Sequence, residues 1–183
     1  LDGRTVALDE ALPDADALEL LRRTPSSWLG SCRFKLPALD AEGADEFYQK
    51  AFAAFADGGF DAVLYIGGND SMDTIAKLGA YGARIDSPIR FIGVPKTIDN
   101  DLVGIDHTPG YGSAARFVAT AVSEVSRDAD VYDLKSVTFV EIMGRDAGWL
   151  AGSACLAAPD LVLLPEVTLD EDALVARIAE VLE

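Results

Sequence analysis

The stretch Pro95-Lys96-Thr97-Ile98-Asp99-Asn100-Asp101 gathers an ammonium, a hydroxyl and two carboxylates directly after an apolar run that ends in Val94. Such a set suits phosphoryl transfer. Lys96 can neutralise charge on a moving phosphoryl group, and Thr97 can hydrogen-bond a hydroxyl or a phosphate. Asp99 can accept a proton, and Asp101 can orient a neighbour or bind metal. Asn100 has an ordinary place as a turn residue. Taken singly, Asp99 reads as a turn carboxylate and Lys96 as a solvated cation; their complementary roles on one loop favour the chemical reading.

A second loop, Gly67-Gly68-Asn69-Asp70-Ser71, follows the apolar residues 62–66 and opens a helical pattern. Paired glycines let backbone N–H groups approach an anion closely, and the helix behind them offers its positive dipole end. The same pair also serves as a simple tight turn, with Asn69 and Asp70 capping the helix. An Asp beside a phosphate site makes sense chiefly if it holds a metal ion or excludes a further anion. A third element, Met143-Gly144-Arg145, again follows an apolar run, residues 137–142. There Gly144 permits close approach, and the Arg145 guanidinium offers a planar fork to phosphate or sugar oxygens.

The elements needed to hold these loops are legible in the apolar spacing. Helices are expected over residues 12–23, 45–56, 71–81, 113–126, 147–156 and 170–182, and strands over 62–66, 89–94, 136–142 and 161–164. Thr24-Pro25 stops the first helix and Gly58-Gly59 the second. Alternation of this kind implies an α/β fold, a Rossmann-like parallel sheet with helices on both faces, in which ligands gather beyond the carboxyl ends of the strands. The polar loop 96–112 is longer than the usual connection of about two to six residues, and long loops are often functional.

With 183 residues and half of them apolar, the chain can bury a core. A net charge of −16 argues against electrostatic binding to nucleic acid or to an anionic membrane. The acidic excess lies mostly in residues 9–19, 40–46 and 170–180, which read as solvated faces. Cys32 and Cys155 are too few and too far apart for a disulfide framework or a zinc site, so free thiols in a reducing cytoplasm are expected. The sole histidine, His107, is expected to pack beside the turn Thr108-Pro109-Gly110. No apolar stretch reaches membrane-spanning length and no signal peptide is visible. The chain begins with Leu1 rather than Met, which points to an amino terminus other than the gene's.

The ordered set Gly67-Gly68-Asn69-Asp70-Ser71, Pro95-Lys96-Thr97-Ile98-Asp99-Asn100-Asp101, Met143-Gly144-Arg145 and Pro165-Glu166 resembles the phosphofructokinase family. Upstream, Leu29-Gly30-Ser31-Cys32-Arg33-Phe34 is similar to that family's segment bearing an arginine that contacts the phosphoryl donor. The resemblance implies that Asp99 is the general base for the 1-hydroxyl of fructose 6-phosphate, with Thr97 and Asp101 in the substrate and metal neighbourhood. It implies that Met143, Gly144 and Arg145 contact the sugar phosphate, and that Arg33, Gly67, Gly68, Asn69, Asp70 and Ser71 hold the donor and its Mg²⁺. Asn69 stands where many members carry the metal-binding Asp, so ligation falls to Asn69 or Asp70. Glu166 matches a position near the effector site of some regulated relatives, although a structural role at a strand end is the simpler one.

The family divides by donor, and ATP-dependent members typically carry Gly where this chain has Asp70 and commonly Gly where it has Lys96. A carboxylate at position 70 occupies the space of the α-phosphate of ATP and repels its charge, whereas pyrophosphate has no third phosphate to lose. The resemblance is therefore to the pyrophosphate-dependent type, a cytoplasmic glycolytic enzyme that usually forms homo-dimers or homo-tetramers. Its alternatives are an ATP-dependent phosphofructokinase and a catalytically silent subunit of the family. Members normally begin with a further strand and Gly-Gly-Asp loop and continue past the position of Glu166. The chain is thus expected to be a central section, nearly inactive alone, with residues 1–109 belonging to the donor domain and 110–183 opening the fructose 6-phosphate domain.

Overall fold

A computed structural model describes residues 5–25, 27, 28 and 30–183. Leu1 and the Leu29 that opens the arginine-bearing stretch lie outside the described residues. The elements run α1 (Leu8–Ala11), α2 (Ala15–Arg23), α3 (Ala44–Asp57), β1 (Ala62–Gly67), α4 (Asn69–Arg84), β2 (Arg90–Pro95), α5 (Tyr111–Ala129), α6 (Trp149–Ser153) with a 3₁₀ turn (Ala154–Ala157), and α7 (Glu171–Val181). The architecture is α/β, with β1 and β2 paired in parallel and helices between and after them. The register is carried from Arg90 N–H to Asp61 O at 3.0 Å through to Lys96 N–H to Gly67 O at 2.7 Å.

Two compact units emerge, one of residues up to Leu64 with Asp73–Ile92, the other of Tyr65–Met72 with Gly93–Glu183. In the first, α3 buries Ala44, Tyr48, Ala51 and Phe52, a spacing that lays one stripe inward. Tyr48 stacks on Tyr81 of α4 with centroids 4.8 Å apart, and Phe52 meets Phe91 of β2 at 5.3 Å. Both buried tyrosines satisfy their hydroxyls: Tyr48 Oη donates to Pro37 O at 2.7 Å and Tyr81 Oη to Asp45 Oδ1 at 3.1 Å. In the second unit the long helix α5 packs on α6 and its 3₁₀ extension, burying Val122, Leu150 and Ala154. Helix α7 is capped by Asp170, whose carboxylate accepts from Ala173 N–H at 3.0 Å.

The sequence pattern matches these helices to within a turn, but α1 carries too short an apolar pattern to be read in advance. The segments expected as strands over 136–142 and 161–164 form no ladder among the described residues. The physical reason is that a strand is defined by its neighbour, and neither segment pairs with β1, β2 or the other among the described residues. Their apolar side chains remain accessible: Val137 is 46 % and Phe139 75 % exposed. They line a groove of about 610 Å³ together with residues of α5 and α7. No helix among the described residues is long and apolar enough to cross a membrane.

Candidate functional site

The two strands of the sheet deliver the two loops that the sequence singles out. β1 ends at Gly67, whose carbonyl accepts from Lys96 N–H, so the glycine turn and the Lys96 loop leave the sheet side by side. Gly68 O then accepts from Ser71 N–H and Met72 N–H, each at 3.0 Å, and α4 begins. Packing treats the two glycines differently. A Cβ on Gly67 would collide with Ser71 Oγ, whereas one on Gly68 would meet Lys96 O at an ordinary 3.5 Å. Packing within the chain thus excludes a side chain at 67 but not at 68, at the head of α4.

Asn69 and Asp70 stand in the first, exposed turn of α4. Asn69 Nδ2 donates to Asp101 Oδ2 at 2.8 Å, a bond between residues of the two different loops. A carboxylate only accepts, which fixes the amide with its nitrogen toward Asp101. The second carboxylate oxygen, Asp101 Oδ1, is buried without a hydrogen-bond partner among the described residues. A buried carboxylate oxygen of this kind could accept from a donor or ligate a cation. Among the described residues no group of three or more His, Cys, Asp or Glu forms a ready metal cluster.

The loop from Pro95 to Gly110 is internally braced. Thr97 makes an isolated parallel bridge with Gly110, closing the loop at its base. Inside it, Thr108 is fully buried; its hydroxyl lies 2.7 Å from Thr97 O and 3.0 Å from Asn100 Oδ1, and its N–H donates to Asn100 Oδ1 at 2.8 Å. Asn100 Nδ2 donates onward to Asp106 O at 3.0 Å. Asn100 sits at φ +57, in the left-handed region that Asn tolerates better than most residues. Thr97 Oγ1 accepts from Asp99 N–H at 3.1 Å. Asp99 itself is half-buried and Lys96 exposed, so a carboxylate and an ammonium stand at the edge of this braced frame. His107 packs its ring against Tyr111 at 5.2 Å, as its turn context suggests.

The turn Met143-Gly144-Arg145 is held separately. Gly144 has φ +153, and a Cβ there would collide with Ala147 O, so the position admits little but glycine. Gly144 O accepts from Ala147 N–H at 3.0 Å, and Glu166 Oε1 accepts from Gly148 N–H at 2.7 Å, capping α6. Met143 and Arg145 are exposed at this turn. Arg33 belongs to the other compact unit. The structure therefore joins Gly67, Gly68, Asn69, Asp70, Ser71, Lys96, Thr97, Asp99 and Asp101 as one constellation, and holds Met143, Gly144 and Arg145 on a distinct, capped turn. The sequence pattern left Thr108 unmarked and Asn100 as a turn residue; an isolated Thr ahead of Pro-Gly carries no local signal of burial.

Residues 5–183 match the family model described as Phosphofructokinase. The chain belongs to the phosphofructokinase family. It is 39 % identical over 188 residues to the pyrophosphate--fructose 6-phosphate 1-phosphotransferase of Xanthomonas campestris pv. campestris (strain B100), covering 98 % of this chain and 44 % of that protein. The protein of the same name from Rhodospirillum rubrum is 43 % identical over 170 residues, covering 90 % of this chain and 40 % of that one. Among solved structures, the pyrophosphate-dependent phosphofructokinase from Marinobacter aquaeolei superposes with a TM-score of 0.81 at 34 % identity, over 93 % of this chain and 43 % of that chain. This phosphofructokinase chain thus spans less than half the length of the relatives it matches.

Proposed function

We propose that the full-length protein carrying this chain moves a phosphoryl group reversibly between pyrophosphate and the 1-hydroxyl of fructose 6-phosphate, giving fructose 1,6-bisphosphate. The observation that carries the reading is the Asn69 to Asp101 hydrogen bond at 2.8 Å, which makes the glycine loop and the Asp99 loop walls of one site. In-line phosphoryl transfer needs that adjacency, because donor and acceptor must be positioned together while charge is neutralised. Asp99 takes the hydroxyl proton and Lys96 faces the transferring phosphoryl group. Gly67, Gly68 and Ser71 cradle the donor at the α4 N-terminus, and Arg33 contacts it from its own segment. Thr97 and Asp101 border the sugar, and Met143, Gly144 and Arg145 grip its phosphate.

Asp70 selects the donor. Its carboxylate stands in the first turn of the helix whose N-terminus receives the phosphates, where the extra phosphate of ATP would meet like charge. Mg²⁺ fits the donor set, with Asn69 and Asp70 as its ligands and the unpartnered Asp101 Oδ1 close to the same loop. Bound there, the ion supplies charge neutralisation on phosphate oxygens. Residues 1–109 serve the donor and residues 110–183 the sugar phosphate, in a cytoplasmic glycolytic homo-oligomer. Relatives more than twice the length of this chain support completion of the site by residues beyond it.

Initial rates of the full-length protein with pyrophosphate and with ATP test the reading. Turnover is expected with Mg²⁺ and pyrophosphate; preference for ATP would overturn the role given to Asp70. The 183-residue chain by itself is expected to be nearly inactive.

A further inference from the structure

We infer that Thr108 is a positioning residue for the base Asp99, acting through Asn100 and the Thr97 carbonyl; the inference rests on the reading of Asp99 given above. Asp99 has one backbone neighbour of each kind pinned. Before Ile98, the Thr97 carbonyl lies 2.7 Å from Thr108 Oγ1, and after Asp99, the Asn100 side chain accepts from Thr108 N–H at 2.8 Å and lies 3.0 Å from Thr108 Oγ1. A single buried side chain therefore spans both ends of the tetrapeptide that carries the base. Thr108 has 0 % relative exposure and Asn100 5 %, so these bonds are not exchanged for water.

The bonds cannot rearrange easily. Asp106 O can only accept and Thr108 N–H can only donate, so the Asn100 amide has one orientation that satisfies both. The hydroxyl proton of Thr108 serves Thr97 O or Asn100 Oδ1, and either choice leaves Asn100 Oδ1 supplied by the Thr108 N–H. With Asn100 held at φ +57, the direction in which the chain leaves Asp99 is set, and the Thr97 Oγ1 contact at 3.1 Å holds the Asp99 N–H from the other side. Thr108 touches none of the reacting atoms in this reading. It sets where the base stands.

Three variants of the full-length protein, Thr108→Val, Thr108→Ser and Asp99→Asn, test this with steady-state kinetics on pyrophosphate and fructose 6-phosphate. Valine keeps the shape and removes the hydroxyl. Because a displacement of about 1 Å at a reacting group can cost about a hundredfold, T108V is expected to lose about 30- to 100-fold in kcat. Its KM for pyrophosphate should stay within about twofold, since ground-state binding is not what the brace supports. T108S restores the hydroxyl and should recover kcat to within about threefold of wild type. A general loss of folded protein would move kcat with the active fraction and would not be rescued by a residue as destabilising in packing as serine. Should T108V not fold, Asn100→Gly removes the acceptor while suiting the left-handed backbone, and the same kcat loss at unchanged KM is expected. Wild-type kcat in T108V or N100G, with D99N inactive, overturns the positioning role alone. Normal turnover in D99N overturns the base assignment and the brace with it.

Discussion

Two stretches of the second compact unit make opposite bargains with solvent. Residues 95–110 bury polar side chains, Thr97, Asn100 and Thr108, and satisfy them within the loop itself. Residues 131–142 expose apolar ones, among them Tyr132, Leu134 and Phe139, on a turn and a following irregular stretch without a ladder among the described residues. The first stretch carries its own partners for these three side chains, while Asp101 takes its hydrogen bond from Asn69 outside it. The second carries a pattern that only pairing and burial against something further would satisfy. Local hydrogen bonding can finish a loop, but it cannot finish a sheet.

The contrast predicts where chemistry resides. In the full-length protein, Asp99→Asn should lower turnover by about 10²- to 10⁴-fold, the usual worth of a general base. Asp133→Asn, in the exposed stretch, should leave it within about twofold, as for ordinary surface positions. Equal losses would dissolve the distinction between the two regions. Hydrogen exchange on the 183-residue chain sharpens it further. The Thr108 N–H, buried and bonded to Asn100, should exchange at least about a hundredfold more slowly than the amides of residues 136–142, which have no ladder partner. Uniform protection across both would show that the exposed stretch is paired after all.

Stability effects are smaller. Glu166→Ala removes the acceptor for Gly148 N–H, and thermal unfolding should show a loss of about 1 kcal/mol, typical of a helix cap. An unchanged transition would release the α6 cap from Glu166. Phe139→Ser should cost under about 0.5 kcal/mol in the isolated chain, since the ring is 75 % exposed. The same change in the full-length protein should cost more if that stretch is covered there, and a calorimetric comparison of the two backgrounds reads the difference directly.

What the sequence made legible follows the same division. Asp99, Lys96 and the Gly67-Gly68 turn stand out because charge and glycine at strand ends are read locally, and the α/β alternation around them is periodic. Residues 136–142 and 161–164 carry an apolar strand pattern but form no strand among the described residues, because pairing is a property of two segments and cannot be read from one. Thr108 escaped notice for a related reason: its role lies in bonds to residues 97 and 100, reached only when the loop closes. The Asn69 to Asp101 bond spans 32 residues of sequence and depends on the β1–β2 register, so no local signal announces it. Glu166 stood out as part of the Pro165-Glu166 pair, but its service to Gly148 required the turn to fold back.

The parallel bridge between Thr97 and Gly110 closes the long loop at its foot, with Asp99, Asn100 and Asp101 in the same closure as its outer tip. At that tip Val103 is fully accessible and Gly104 follows at φ +81. A label carried on the side chain at position 103, which stands in open solvent, would ride on that tip without entering the hydrogen bonds among Thr97, Asn100 and Thr108.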